Sequence, residues 1–302
     1  QCRIGPMRVG WHGVLQPIAD ALKLLSKEDL IPPKGDTFLF SLAPSLCVLA
    51  TVLGLSFIPY APRFQIVDTQ IGIILITAIT SFGVLGILLG GWSSNNKWSM
   101  IGAMRAGAQI VSYELSATLA VLVIVIFSQS MSLTQIVLSQ QNGWWIWRAH
   151  GVGFLAFIIF IIASIAELNR TPFDLTEGES ELAAGFHTEY SGLRFSFFFL
   201  SEFVNMVVAA SLTTTMFLGG WMPFHIGDLE TFNSFMNLIP PVIWFVIKVA
   251  GIIFFYMWIR WSFPRLRIDQ LMLLEWKFLL PIGFANLVAA SVIASQNWYW
   301  YP

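Results

Sequence analysis

The chain has 302 residues and a formal net charge of −1; 56% of its side chains are hydrophobic and only 11% are charged. Thirteen Trp and 26 Phe, at a mean hydropathy of +0.72, exclude an ordinary soluble domain and point to a polytopic membrane protein. The near-zero charge gives nucleic-acid binding no support. The two cysteines, Cys2 and Cys47, make neither a CxxC nor a Cys/His pattern, so the chain alone holds no iron–sulfur cluster and no structural zinc.

The opening stretch, QCRIGPMRVG, is polar and does not read as a signal peptide. Residues 13–27, GVLQPIADALKLLSK, are too short and too polar to span a bilayer. Val14, Leu15, Ile18, Leu22 and Leu25 recur at spacings of three and four opposite Asp20, Lys23 and Lys27, which predicts an amphipathic helix lying in the interface. A bilayer core of about 30 Å takes about 20 residues of helix. Seven apolar runs meet or approach that length: Thr37–Pro59, Ile71–Trp92, Ala106–Phe127, Val152–Ala166, Phe195–Leu218, Pro241–Trp261 and Phe278–Ser295. The fourth is short and is expected to draw on Trp144–Trp147. No run alternates as the strands of a barrel would, and no repeat or low-complexity tract is evident. The reading is an all-α, polytopic transmembrane helix bundle, one membrane domain over residues 1–302.

The basic residues orient it. Of 16 Lys and Arg, all but three fall in loops assigned to one side, residues 1–36, 93–105, 167–194 and 260–277. Only Arg63 and Arg148 lie opposite, and Lys248 sits inside a span. Such a bias marks the cytoplasmic or matrix side. The Trp-rich end, NWYWYP, reads as an aromatic belt at the opposite interface.

The acidic residues are the informative ones. Glu167, Asp174, Glu177, Glu179, Glu181, Glu189 and Glu202, seven of the 17 acidic groups, lie within one stretch on the cytoplasmic side. Glu114 falls about 12 Å into the third run, Glu202 about 10 Å into the fifth, and Lys248 about as deep in the sixth. Glu167 closes the fourth. A charge at such depth costs at least about 2.5–3.5 kcal/mol, so intramembrane ionisable groups read first as functional. Mutual pairing, for instance Glu114 with Lys248, is the structural alternative. Desolvation favours the neutral form of any ionisable group, which makes a row of such groups a candidate proton path. In the loop, Pro172 ends the fourth helix. Thr176 and Glu179 have capping-box spacing, which predicts a short helix from about Glu177. Glu177 and Glu181 would then share a face at i,i+4.

The segment ELNRTPFDLTEGESELAAGFHTEYSG strongly resembles the signature of the quinone-site membrane subunit of respiratory complex I (the family of the bacterial H subunit, or mitochondrial subunit 1, of NADH:quinone oxidoreductase). RIGPMRVGWHGVLQPIADALKLLSKED, GWSSNNKWSMIGAMRAGAQIVSYE and WIRWSFPRLRIDQLMLLEWK are similar to further blocks of that family, in family order across nearly the whole chain. Met7 and His187 depart from it, each where asparagine is commoner. The family has eight transmembrane helices, so an eighth is expected before Gln1.

The resemblance implies part of a chamber for ubiquinone or menaquinone, flanked by Arg3, Phe199, Arg260 and Arg265. It implies an acidic path through Glu114, Glu167, Asp174, Glu177, Glu179, Glu181 and Glu202. Lys248 joins that path by its depth. The implied partners are peripheral-arm subunits carrying iron–sulfur clusters and FMN, the small membrane subunits and antiporter-like subunits, all in an energy-transducing inner membrane, bacterial rather than mitochondrial. A homologous subunit of an ion-translocating hydrogenase or formate hydrogenlyase, working without quinone, is the alternative. A free-standing secondary transporter would show paired broken helices in two halves, and none is seen.

Overall fold

The structure, a computed structural model, describes residues 4–175, 185–225 and 230–299, with the side chains of 230–232 excepted. Its described residues are all-helical apart from one isolated bridge, Ala61 to Phe64. The elements are α1 (Gln16–Ser26), α2 (Thr37–Ser56), α3 (Gly72–Ser93), α4 (Lys97–Ser128), α5 (Leu133–Leu138), α6 (Trp145–Arg148), α7 (Val152–Glu167), α8 (Gly192–Phe217), α9 (Glu230–Asn237), α10 (Pro241–Ser262), α11 (Ile268–Leu273), a π-helical turn at Leu274–Leu279, and α12 (Leu280–Ser295). Six helices are long and apolar enough to cross a membrane, α11 to α12 counting as one. The seventh, α7, is apolar but shorter.

The helices outrun the apolar runs that predict them. α4 begins at Lys97 rather than Ala106, and the last span begins at Ile268 rather than Phe278. The 32 residues of α4 measure about 48 Å, well beyond a hydrocarbon core of about 30 Å. Hydropathy reports only the part that meets lipid; the polar first turns continue as helix because local caps support them. The Asn96 side chain accepts from the Trp98 amide at 3.0 Å. Asp36 does the same for α2, accepting from Phe38 and Leu39 at 3.0 and 3.2 Å.

The chain packs as two compact units. The first comprises Gln1–Ala50, Phe82–Gly107 and Leu175–Phe203. Its core is Phe40, Ala43 and Cys47 of α2, Ala103 of α4, Phe186, Tyr190, and Phe198 of α8. Phe186 and Tyr190 belong to the segment that sequence reading treats as a cytoplasmic loop. They are buried, and Tyr190 stacks on Phe40 with centroids 3.9 Å apart. Its hydroxyl donates to the Phe40 carbonyl at 3.2 Å. Burial pushes the Tyr190 phenol up to about 12, so it stays a neutral donor. Glu189 accepts from Asn96 at 2.6 Å. The predicted interfacial helix is present as α1, and Val14, Leu15, Ile18, Leu22 and Leu25 are all exposed, an uncovered apolar face suited to a membrane surface.

The second unit comprises Thr51–Ser81, Ala108–Asp174 and Val204–Pro302. Here α7 does not draw on Trp144–Trp147 as expected. Those residues fall in a separate short helix, α6, and His150 and Gly151 turn the chain with φ of 47° and 84°. α6 and α7 then pack so closely that a Cβ on Gly153 would lie 1.9 Å from the Trp145 carbonyl oxygen. Gly153→Ala would gain about 1 kcal/mol of helix propensity. It would lose more, because a backbone carbonyl cannot rotate away as a side chain can. We expect a net destabilisation of about 2 kcal/mol, read as a lowered thermal midpoint of the detergent-purified protein.

Candidate functional site: intramembrane carboxylates around a small cavity

A cavity of about 40 Å³ open to water centres lies within the second unit, room for a few water molecules. Thr77 and Thr80 of α3, Glu114 and Thr118 of α4, Ser164 and Glu167 of α7, and Asn205 of α8 supply its polar wall. Ile73, Ile76, Val121, Phe160, Val208 and Leu212 supply its apolar wall. Two of the predicted carboxylates therefore face one water-sized space, close enough for their charges to act on each other.

Each carboxylate is held by the helix that carries it and by a polar neighbour. The Glu114 side chain accepts a short hydrogen bond from the Ser81 hydroxyl of α3. Glu167 is the last residue of α7, where the final carbonyls lack intrahelical partners. Gln109 of α4 meets that need: its amide donates to Ala166 O at 2.7 Å, to Phe173 O at 2.9 Å and to Asn169 Oδ1 at 3.2 Å. Beside the cavity, the Tyr256 hydroxyl of α10 lies 2.9 Å from Ser164 Oγ and 3.3 Å from Thr213 Oγ1, continuing the hydroxyl wall.

The other predicted residues lie elsewhere. Arg3, Glu177, Glu179, Glu181 and the predicted helix from about Glu177 lie outside the described residues. Asp174 closes an ion pair with Arg265 at 2.7 Å, and the Leu266 amide donates to the Pro172 carbonyl at 3.0 Å. Two predicted regions, the acidic segment and the last cytoplasmic loop, are joined there. Arg260 sits in the last turn of α10. Phe199 is half-exposed on α8, between Phe195 at 6.3 Å and Phe203 at 4.9 Å. Glu202 is half-buried on the same helix, in the first unit, where its charge reaches the buried Cys47; Asn205, three residues on, lines the cavity.

Lys248 does not line the cavity, and its ammonium is engaged elsewhere. It donates to the carbonyls of Leu218, Gly220 and Met222 at 2.6, 3.0 and 2.7 Å and lies 4.6 Å from the centre of the Trp144 ring. Those carbonyls belong to the end of α8 and its turn, where Gly219 and Gly220 adopt φ of 73° and 51° and the Gly220 amide bonds Thr214 O, a glycine-closed helix end. A lysine at a helix C-terminus meets both the free carbonyls and the negative end of the dipole.

Sequence reasoning missed Gln109, Ser81, Ser164, Thr213 and Tyr256, because uncharged polar residues in an apolar run give no placement signal. It also missed Glu275. The apolar string around it, LMLLEWKFLL, is a signal that could have found it.

Architecture and site define the chain as a multi-pass membrane helix bundle with paired carboxylates inside it. The sequence profile described as NADH dehydrogenase matches residues 1–291. The chain is 51% identical over 293 residues to the H subunit of NADH-quinone oxidoreductase of Phocaeicola vulgatus, covering 97% of this chain and 82% of that protein. It is 47% identical to the H subunit of Bacillus cytotoxicus over 97% and 84% of the two chains, and 44% identical to the second H subunit of Geobacter metallireducens over 98% and 87%. The chain belongs to the NADH dehydrogenase family.

Lys248→Met would strand three carbonyls. At about 1–3 kcal/mol per unmet buried group, we expect a clearly lowered thermal midpoint and poorer assembly. Activity per assembled complex should hold, because the ammonium faces carbonyls rather than the carboxylates. A kinetic defect without a stability defect would overturn the clamp reading.

Proposed function

We propose that this chain, as a membrane subunit of an NADH:quinone oxidoreductase (complex I), forms part of the quinone chamber and carries the acidic path that links quinone reduction to proton translocation. Its relatives bear the name of that oxidoreductase's H subunit, so the chain is one subunit of a multi-subunit enzyme and is not catalytic alone. The observation that carries the path is the shared cavity: Glu114 and Glu167 face the same small space inside apolar helices, with serine and threonine hydroxyls around it.

Reducing a quinone to a quinol takes two electrons and two protons. The electrons come from an iron–sulfur cluster on a peripheral-arm subunit, fed in turn by FMN, since this chain has no residues to hold either. The protons are where this chain acts. Charge moved beside a carboxylate in a low dielectric shifts its protonation by several kcal/mol at contact distance. In this reading Glu167, at the inner end of α7, hands protons to Glu114 through cavity water. Glu202 and the loop acids Asp174, Glu177, Glu179 and Glu181 feed it from the quinone side. Small membrane subunits and antiporter-like subunits receive the signal beyond Glu114. Arg265 and Asp174 hold the two cytoplasmic segments together at the mouth of the chamber, with Arg3, Arg260 and Phe199 lining its approach. The bacterial relatives support a bacterial plasma membrane as its location, with ubiquinone or menaquinone as substrate.

Glu114→Gln, Glu167→Gln and Glu202→Gln test the path. Each keeps the shape and hydrogen-bonding reach of the side chain and removes its exchangeable acid proton. We expect proton pumping in reconstituted complex to fall about tenfold or more, about 1.4 kcal/mol on the coupled step. Pumping and quinone reductase activity at parent values would remove the path. For the chamber, Arg260→Ala and Arg265→Ala are expected to raise the KM for quinone and weaken inhibition by quinone analogues. Unchanged values for both would make those arginines structural.

A further inference from the structure

Glu275 is fully buried, yet nothing in the proposed path uses it. It lies seven residues into the Ile268–Ser295 span, about 10 Å from its start, at the join between α11 and α12. The join is a π-helical turn, closed by the Leu280 amide on the Glu275 carbonyl. Such wide turns concentrate at functional positions, and here the turn sets which way the glutamate points. The buried positions along this span are Leu271, Glu275, Leu279, Gly283, Asn286, Ala290 and Ile293. The first three steps of that stripe are of four residues. A regular helix of 3.6 residues per turn would rotate the stripe by about 40° at each such step. The wide turn absorbs the surplus, so Glu275 stays in line with its buried neighbours instead of turning to lipid.

Its surroundings are polar on one side only. Ser116 of α4 donates a short hydrogen bond to Glu275 Oε1. Oε2 is buried and has no hydrogen-bond partner among the described residues. Tyr113, one turn before Ser116, donates to Leu271 O at 3.0 Å and lies within electrostatic reach of the carboxyl. Ser112 approaches the sulfur of Met272 at 3.8 Å. Among the other ionisable groups on these elements, Asp269 and Lys277 are exposed, Glu114 bonds Ser81, and Glu114 and Glu167 line the cavity. An ionised Glu275 would rest a full buried charge on a single serine hydroxyl; the neutral acid needs only a proton.

We propose that Glu275 is a proton-binding site inside the membrane span, carrying its proton on Oε2 and exchanging it with water that reaches the Ser112–Ser116 face of α4 during turnover. Release passes the Oε2 proton to a water molecule and leaves a carboxylate held by Ser116; uptake reverses the step. α4 then presents Glu114 on one side and serves Glu275 on the other. The proposal deepens the proton-path reading and rests on it for the redox trigger.

The test is infrared difference spectroscopy of the assembled complex, triggered by NADH and quinone, in ordinary and heavy water. In the parent enzyme we expect a deuterium-sensitive band in the carbonyl-stretch region of protonated carboxylic acids. It should vanish in Glu275→Gln and persist in Glu114→Gln and Glu167→Gln. Ser116→Ala should shift it without removing it, which keeps the idea testable if Glu275→Gln fails to assemble. Superimposable spectra for the parent and Glu275→Gln would overturn the proposal, as would an unshifted band in Ser116→Ala. Either outcome is independent of the pumping values of the Glu114 and Glu167 variants, on which the path itself stands or falls.

Discussion

The Gln109 amide spans from α4 to the carbonyls of Ala166 and Phe173 and to the Asn169 side chain, and the geometry of the carboxylates follows from that reach. α7 has only 16 residues, about 24 Å of helix, so its last turn ends inside an apolar setting rather than in bulk water. Backbone carbonyls left there without donors would cost about 1–3 kcal/mol each. A single side-chain amide from the neighbouring helix meets that need. It thereby fixes where Glu167 stands and where the chain leaves the helix toward Pro172 and Asp174. The cavity wall and the Asp174–Arg265 pair lie downstream of that one contact.

The same rule, that a polar group taken out of water must find a partner within the fold, is answered differently around the second unit. Lys248 is answered by backbone, three carbonyls around one ammonium, and the result is rigid. Glu114 and Glu275 are each answered by one serine hydroxyl, from Ser81 and Ser116. A hydroxyl can donate to a carboxylate or accept from an acid, so it tolerates either protonation state. That difference separates a group fixed in one state from a group able to exchange a proton, and it is visible in partner chemistry alone.

Much of this was legible beforehand. Apolar runs of bilayer length located seven spans, and the alternation of Val14, Leu15, Ile18, Leu22 and Leu25 located α1. The pairing of Glu114 with Glu167 followed from depth, since both interrupt apolar runs. Other features were not legible. The burial of Phe186 and Tyr190 was hidden because their neighbours, His187, Thr188 and Glu189, are polar, and a local window averages them into a loop. The partner of Lys248 was hidden because backbone carbonyls leave no trace in a sequence; the carboxylates were the only visible candidates. Glu275 was hidden because Lys277 and Arg267 drew the boundary of the last span too late, leaving the acid among loop residues.

The wide turn at Leu274–Leu279 also bears on how this helix can change length over evolutionary time. A turn of this kind is what a regular helix becomes after absorbing one additional residue. Deleting a single residue within it would restore ordinary spacing and swing everything after it by about 100°. Asn286, whose amide now donates to the Val152 carbonyl at 3.2 Å, would leave its acceptor, and Gly283 would leave its seat against Leu119. A one-residue indel here therefore reassigns an entire helix face at once, whereas substitutions in the same stretch act one side chain at a time. The residue count between Ile268 and Ser295 is accordingly under tighter constraint than the identity of most residues within it.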